Sequence, residues 1–227
     1  MSVIGRGQQE PSVMSGAEEQ RFADSHPLRL FPTFVWRVEL ADNVRARVNA
    51  SVLKVVEELR GSLPPFKRGE GWQSRQNLHR RAPFSELVGC IDAAAAEVVH
   101  FLRIGHDAPC ITACWVNVLA PTRTHPAHSH PNNFLSGVYY AKMQPGAETV
   151  NFHDPRPQTG IIRPPVTELT ADNIDQVVVT VRDGTLLLFP AWLVHSVDAN
   201  RSAEQRISVS FNMMFRTYAE IMSKPMW

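Results

Sequence analysis

RISVSFNMMF, residues 206–215, alternates without a break: Arg206, Ser208, Ser210 and Asn212 leave one face of a strand, while Ile207, Val209, Phe211 and Met213 leave the other. The polar face opens on an arginine and continues in small hydroxyls and an amide. The apolar face needs cover. A polar interior mouth on one side and helices on the other satisfy both demands. A jelly roll that holds a ligand inside produces that arrangement, so the stretch predicts a mainly β fold with flanking helices, a double-stranded β-helix.

The sequence upstream reads the same way. ITACWVNVL, FLSGVYYAKM, TVNFHD, QVVVTV and TLLLFP are short strand-like runs, which with the last strand give a jelly-roll core over about 110–216. VVVTVRDGTLLLF predicts a hairpin with Asp183 and Gly184 at the turn, where a tight turn needs positive φ. Two helices precede the strands. Val44, Val48, Val52, Val55, Val56 and Leu59 follow helical spacing over about 41–60, with Asp42 or Asn43 as cap and Gly61 as stop. Leu87, Ile91, Ala94, Ala95, Val98 and Leu102 do so over about 84–104, from Ser85 and Glu86 to Gly105. Residues 28–227 thus read as a single domain, and residues 1–27 as a disordered or irregular lead-in.

Composition narrows the function classes. With 44% hydrophobic and 20% charged residues among 227, the chain reads as an ordinary soluble protein with one sizeable core. A formal charge of +1 gives no reason to expect nucleic acid or an anionic membrane as partner. No apolar run approaches the roughly 20 residues that span a bilayer, and the first residues lack the apolar core of a secretory signal. Cys90, Cys110 and Cys114 are odd in number and scattered, which argues against a disulfide framework and for the reducing cytoplasm. Nothing in the sequence sets the oligomeric state.

Chemistry concentrates at three histidines and one arginine. His128 and His130 lie two apart in PAHSHPNN, so on a strand both imidazoles leave the same face, and Pro126 and Pro131 stiffen the backbone around them. His195 follows the TLLLFP run, and Arg206 comes just downstream with Ser208 on its own face. A close histidine pair and a distant third predict a metal site. The arginine beside it predicts an anion clamp, since a guanidinium offers a carboxylate a bidentate fork. His125 and His153 read as neighbours of the ligands or as substrate-side residues. The third ligand stays open between His130, Asp154 from NFHDPRP, and water with His130 only nearby.

This order and spacing resemble the Fe(II)/2-oxoglutarate-dependent oxygenases. WVNVLAPTRTHPAHSHPNNFLSGVYY, FHDPR, GTLLLFPAWLVHSVDAN and RISVSFN look like a family of such oxygenases known largely from bacterial genomes, over roughly Trp115 to Phe215. LFPTFVW and GWQS resemble that family's start, and the chain is distantly similar to the aspartyl/asparaginyl β-hydroxylases. The resemblance implies iron(II) held by His128, His130 and His195, with Asp154 as the alternative third ligand. It implies 2-oxoglutarate as cosubstrate, its far carboxylate held by Arg206 and Ser208, and dioxygen as oxidant. Hydroxylation is the implied outcome. The family's usual carboxylate ligand sits where this chain has His130, so the triad implied is an unusual one.

The substrate reads only as a small molecule or an amino-acid or peptide side chain. Trp72, Gln73, Arg75, Trp115, Asn117, Tyr139, His153, Arg156, Trp192 and Asn212 are the candidates to line its pocket or support the ligands, Tyr139 and Trp192 being equally readable as core. Competing readings are a cupin-like three-histidine dioxygenase without 2-oxoglutarate, a zinc hydrolase, and a non-catalytic jelly-roll binding protein.

Overall fold

The computed structural model describes residues 22–28, 30–105, 109–156, 164–170 and 172–217. They divide into two compact units, one ending at Thr33 and the other beginning at Phe34. Most of the expected lead-in lies outside the described residues, and residues 22–27 are exposed and form neither helix nor strand.

The second unit runs β1 (Trp36–Glu39), α1 (Asp42–Arg60), β2 (Gly71–Gln73), two single turns of 3-10 helix, α2 (Ser85–Phe101), and then eight strands. These are β3 (Pro109–Leu119), β4 (His125–His128), β5 (Leu135–Lys142), β6 (Thr149–His153), β7 (Gln176–Thr180), β8 (Thr185–Pro190), β9 (His195–Val197) and β10 (Arg206–Phe215). A larger sheet has the order β1-β8-β5-β10-β3-β2 and a smaller one the order β4-β9-β6-β7, every strand pair being antiparallel. This is the jelly roll, with the last eight strands alternating between the sheets except at β6 and β7, which are consecutive in the smaller one.

Strand parity divides the core in two. Val116, Val118, Leu186, Leu188, Val209, Phe211 and Met213 of the larger sheet join Val48, Val52 and Val55 of α1 and Leu87, Ile91 and Val98 of α2. Tyr140, Leu187 and Phe189 point the other way and meet Val150, Phe152 and Leu193 between the sheets. Removing these side chains from water is the main stabilising force on the sandwich. Gly137 is required where β5 passes under Phe211. A Cβ there would run into the Phe211 ring and come within 2.5 Å of the Leu187 carbonyl oxygen.

Several local expectations are corrected. β7 and β8 are not a hairpin: β7 pairs with β6 in the smaller sheet and β8 with β1 and β5 in the larger. Gly184 does take positive φ, 87°, but the turn hands the chain from one sheet to the other. Gly61 is right-handed, and the left-handed residue after α2 is Arg103 at φ 54°, ahead of Gly105. Ala41 occupies the N-cap of α1 without a side-chain cap bond. Leu59 and Leu102, expected on buried faces, are each 37% exposed.

Candidate metal centre

β4 and β9 pair so that His128 lies directly opposite His195. Cross-strand partners share a face, which brings the two rings to 4.3 Å between centroids. His130 arrives differently from expectation. β4 ends at His128, and His130 sits in the following turn, its backbone N–H donating to the Ala191 carbonyl at 2.8 Å. Its ring lies 5.0 Å from that of His128 and 5.2 Å from that of His195. One ring nitrogen from each histidine falls within 4.8 Å of the others, and this trio is the one such cluster among the described residues.

The tautomers follow from the hydrogen bonds. Nδ1 of His128 contacts the Pro126 carbonyl at 2.9 Å, and Nδ1 of His195 contacts the Leu193 carbonyl at 3.0 Å. A carbonyl oxygen only accepts, so each Nδ1 carries the proton and each Nε2 keeps a free lone pair. Burial also favours neutral rings. It pushes His195 down to about 3 and His130 to about 4, with the neighbouring histidines adding to the effect. Phe152 and Phe189 flank His195, at 6.1 and 4.7 Å between centroids, and help keep that ring dry. Three convergent imidazole nitrogens fit a divalent first-row metal.

Asp154 does not join them. Its carboxylate forms a bidentate pair with Arg156, with Nε at 2.9 and 3.2 Å and a terminal nitrogen at 2.6 Å. Arg156, a substrate-side candidate in the sequence, is exposed and is the partner in that pair. His153 lies next to Phe152 on β6, so by parity it leaves the opposite face, where its Nε2 meets the Ser196 hydroxyl at 2.9 Å.

Arg206 is only 3% exposed, and Ser208 is buried two residues along the same face. One terminal nitrogen of Arg206 donates to the Thr149 carbonyl at 2.9 Å, but its buried Nε has no partner. Burial lowers its pKa from the ordinary value, with the Tyr140 hydroxyl and then Glu148 opposing. An arginine remains cationic at neutral pH, and a buried cation without a bonded carboxylate favours an incoming anion. This orphaned donor is the observation that fits a dicarboxylate cosubstrate.

Tyr140 was missed in the sequence. It pairs with Ser208 across β5 and β10, and its ring centroid lies 5.3 Å from the Arg206 guanidinium carbon. Tyr139 was named instead, and it faces the helices: its hydroxyl donates to Asn49 Oδ1 of α1 at 2.5 Å. Trp115 and Asn117 do face inward, with the Trp115 ring 6.1 Å from that of His130. Asn117 Oδ1 accepts from Trp115 Nε1 at 3.2 Å and from Gln73 Nε2 at 2.7 Å, while its Nδ2 donates to Ser210 at 2.8 Å. Asn212 Oδ1 accepts from the Ser136 hydroxyl at 2.8 Å. Trp192 and Arg75 are exposed, and Trp72 packs toward the helix-side core.

Residues 113–212 match the family described as "Putative 2OG-Fe(II) oxygenase". A prolyl-4-hydroxylase from Pseudomonas putida is similar in fold, with 14% identity and a TM-score of 0.56 over 81% of this chain and 94% of that one. The α-ketoglutarate-dependent carbocyclase SnoK of nogalamycin biosynthesis shows 16% identity and a TM-score of 0.57, over 81% and 80%. A prolyl hydroxylase from Trichoplax adhaerens, solved with a peptide fragment, shows 13% identity and a TM-score of 0.56, over 84% and 87%. No curated protein matches the chain in sequence.

Proposed function

From the match of residues 113–212 to the family described as "Putative 2OG-Fe(II) oxygenase", we propose that the protein is such an oxygenase and hydroxylates a small molecule or an amino-acid or peptide side chain, consuming 2-oxoglutarate. The observation that carries this reading is the pairing of a convergent three-histidine cluster with a buried arginine whose Nε is unpartnered. Iron(II), 2-oxoglutarate and dioxygen supply the oxidising chemistry when bound.

The chain's own residues divide the remaining work. Nε2 of His128, Nε2 of His195 and a ring nitrogen of His130 would hold the metal. The carbonyls of Pro126 and Leu193 orient the first two rings. Arg206 grips the far carboxylate of the cosubstrate, with the Ser208 and Tyr140 hydroxyls beside it. Trp115 and Asn117 line the interior next to His130. Because the triad has no carboxylate, it would leave more positive charge on a bound metal and so favour a dianionic cosubstrate beside it.

No helix among the described residues is long and apolar enough to cross a membrane. The three cysteines are unpaired, which supports a reducing, cytoplasmic setting. The direct test of the ligand assignment is metal analysis of His195→Ala after reconstitution with iron(II). The variant keeps its fold, judged by circular dichroism, and loses tight stoichiometric iron. One retained equivalent of tightly held iron would overturn the assignment.

A further inference from the structure

Between β2, the end of β3 and the start of β4 lies an open cavity of about 360 Å³, lined among others by Gly71, Gln73, Leu119, Arg123, Thr124 and His125. No proposed metal or cosubstrate residue lines it. His125 joins the two places: it lines the cavity, and its ring stacks on that of His128, at 4.4 Å and 12°. The volume suits a small molecule.

Two groups give the cavity its chemistry. Trp115 Nε1 can only donate, so the Asn117 atom it meets is the carbonyl Oδ1. Gln73 must then turn its Nε2 to that same oxygen, which leaves its own carbonyl Oε1 as a fixed acceptor. The second group is Arg123. Its side chain lies across the bare backbone of Gly71, where an added Cβ would sit 3.3 Å from its Nε. Its backbone is held on both sides, N–H to the Ala120 carbonyl at 3.1 Å and carbonyl to the Asn200 N–H at 3.0 Å. Thr122 beside it is fixed in the left-handed region at φ 70° and donates to the Asn200 carbonyl at 2.7 Å. Yet the Arg123 side chain makes no hydrogen bond or ion pair among the described residues, and no carboxylate lines the cavity. Both side chains are exposed, so an unpaired cation on a fixed backbone and an acceptor oriented by Asn117 are presented together at the cavity.

We propose that this cavity recognises the substrate's carboxylate: Arg123 holds the anion, and Gln73 Oε1 accepts from an N–H or O–H close to it. An α-amino acid, an α-hydroxy acid and a peptide carboxyl terminus share that chemistry. The proposal deepens the oxygenase reading and rests on it for naming the occupant a substrate.

The test uses the full chain loaded with Mn(II) and 2-oxoglutarate, with small probes followed by ligand-observed NMR. N-acetylglycine carries both features, its methyl ester lacks the charge, and acetate lacks the donor. The acid binds at least ten-fold tighter than the ester, and Mn(II) broadens its signals. Arg123→Ala abolishes the preference, Arg123→Lys keeps part of it, and Gln73→Leu brings N-acetylglycine down to the level of acetate. Glycine and glycylglycine as further probes separate a free amino acid from a peptide terminus. Equal binding of acid and ester, no binding of the acid, or an unchanged preference in Arg123→Ala would each overturn the proposal. The affinity for 2-oxoglutarate, measured on the same samples, separates the two failures. If wild type does not bind it while the acid preference holds, the oxygenase reading fails and the acid site stands. If Arg123→Ala loses it, the cavity belongs to the cosubstrate and the proposal falls.

Discussion

Two of the candidate ligands are fixed by backbone carbonyls, and that makes the third position the most informative residue in the site. His130 reaches the cluster from a turn, whereas Asp154 is committed to Arg156. His130→Ala should therefore lose iron as severely as His128→Ala, while Asp154→Asn should keep it. Equilibrium dialysis followed by metal analysis distinguishes these outcomes, and the opposite pattern would move the third position to Asp154. His130→Asp, which adds a negative donor, should hold iron more tightly without a matching gain in turnover. The nearness of the three histidines was legible in the sequence, but the reason offered for His130 was not the one found. Two-residue spacing on a strand predicted a shared face, and the strand stops two residues short of His130. Tyr140 was not legible because it follows another tyrosine, and only register tells which of the pair faces inward.

At the level of the element, β5 carries the sharpest contrast. Tyr139 and Tyr140 are adjacent, equally buried and on opposite faces, one bonded to α1 and the other beside Arg206. Tyr139→Phe should cost about 1 kcal/mol of stability in urea unfolding and leave 2-oxoglutarate affinity alone. Tyr140→Phe should weaken the cosubstrate instead, so identical effects in the two variants would refute the assigned faces. Gly137→Ala on the same strand forces apart backbone and ring, and should lower stability by about 1–3 kcal/mol. The β10 alternation was readable in advance because polarity and parity agree at every position from Arg206 to Met213. The β7–β8 hairpin was misread because Asp183–Gly184 specifies a tight turn and says nothing of which sheet receives each strand. The three- and four-residue strands β1, β2, β4 and β9 are too short for periodicity to reveal, and two of them carry the histidine site.

At the scale of the two sheets, the smaller one carries the histidine cluster at β4 and β9, and the larger one carries a buried cation at the start of β10. One side of the larger sheet is sealed by helices, so the polar face of β10 has nowhere to turn but inward. We propose that Arg206 binds an anion chelated to the metal. Losing one partner of a buried, charge-assisted contact costs on the order of 2–5 kcal/mol. A solvated arginine at a strand end would cost less than about 0.5 kcal/mol. Calorimetric titration of 2-oxoglutarate into the Mn(II)-loaded protein, wild type against Arg206→Ala, measures the difference without turnover. The account predicts that the variant keeps its Mn(II) affinity and binds 2-oxoglutarate roughly 30- to several thousand-fold more weakly, with Arg206→Lys between the two. Equal binding by wild type and Arg206→Ala, or binding by neither, would contradict it.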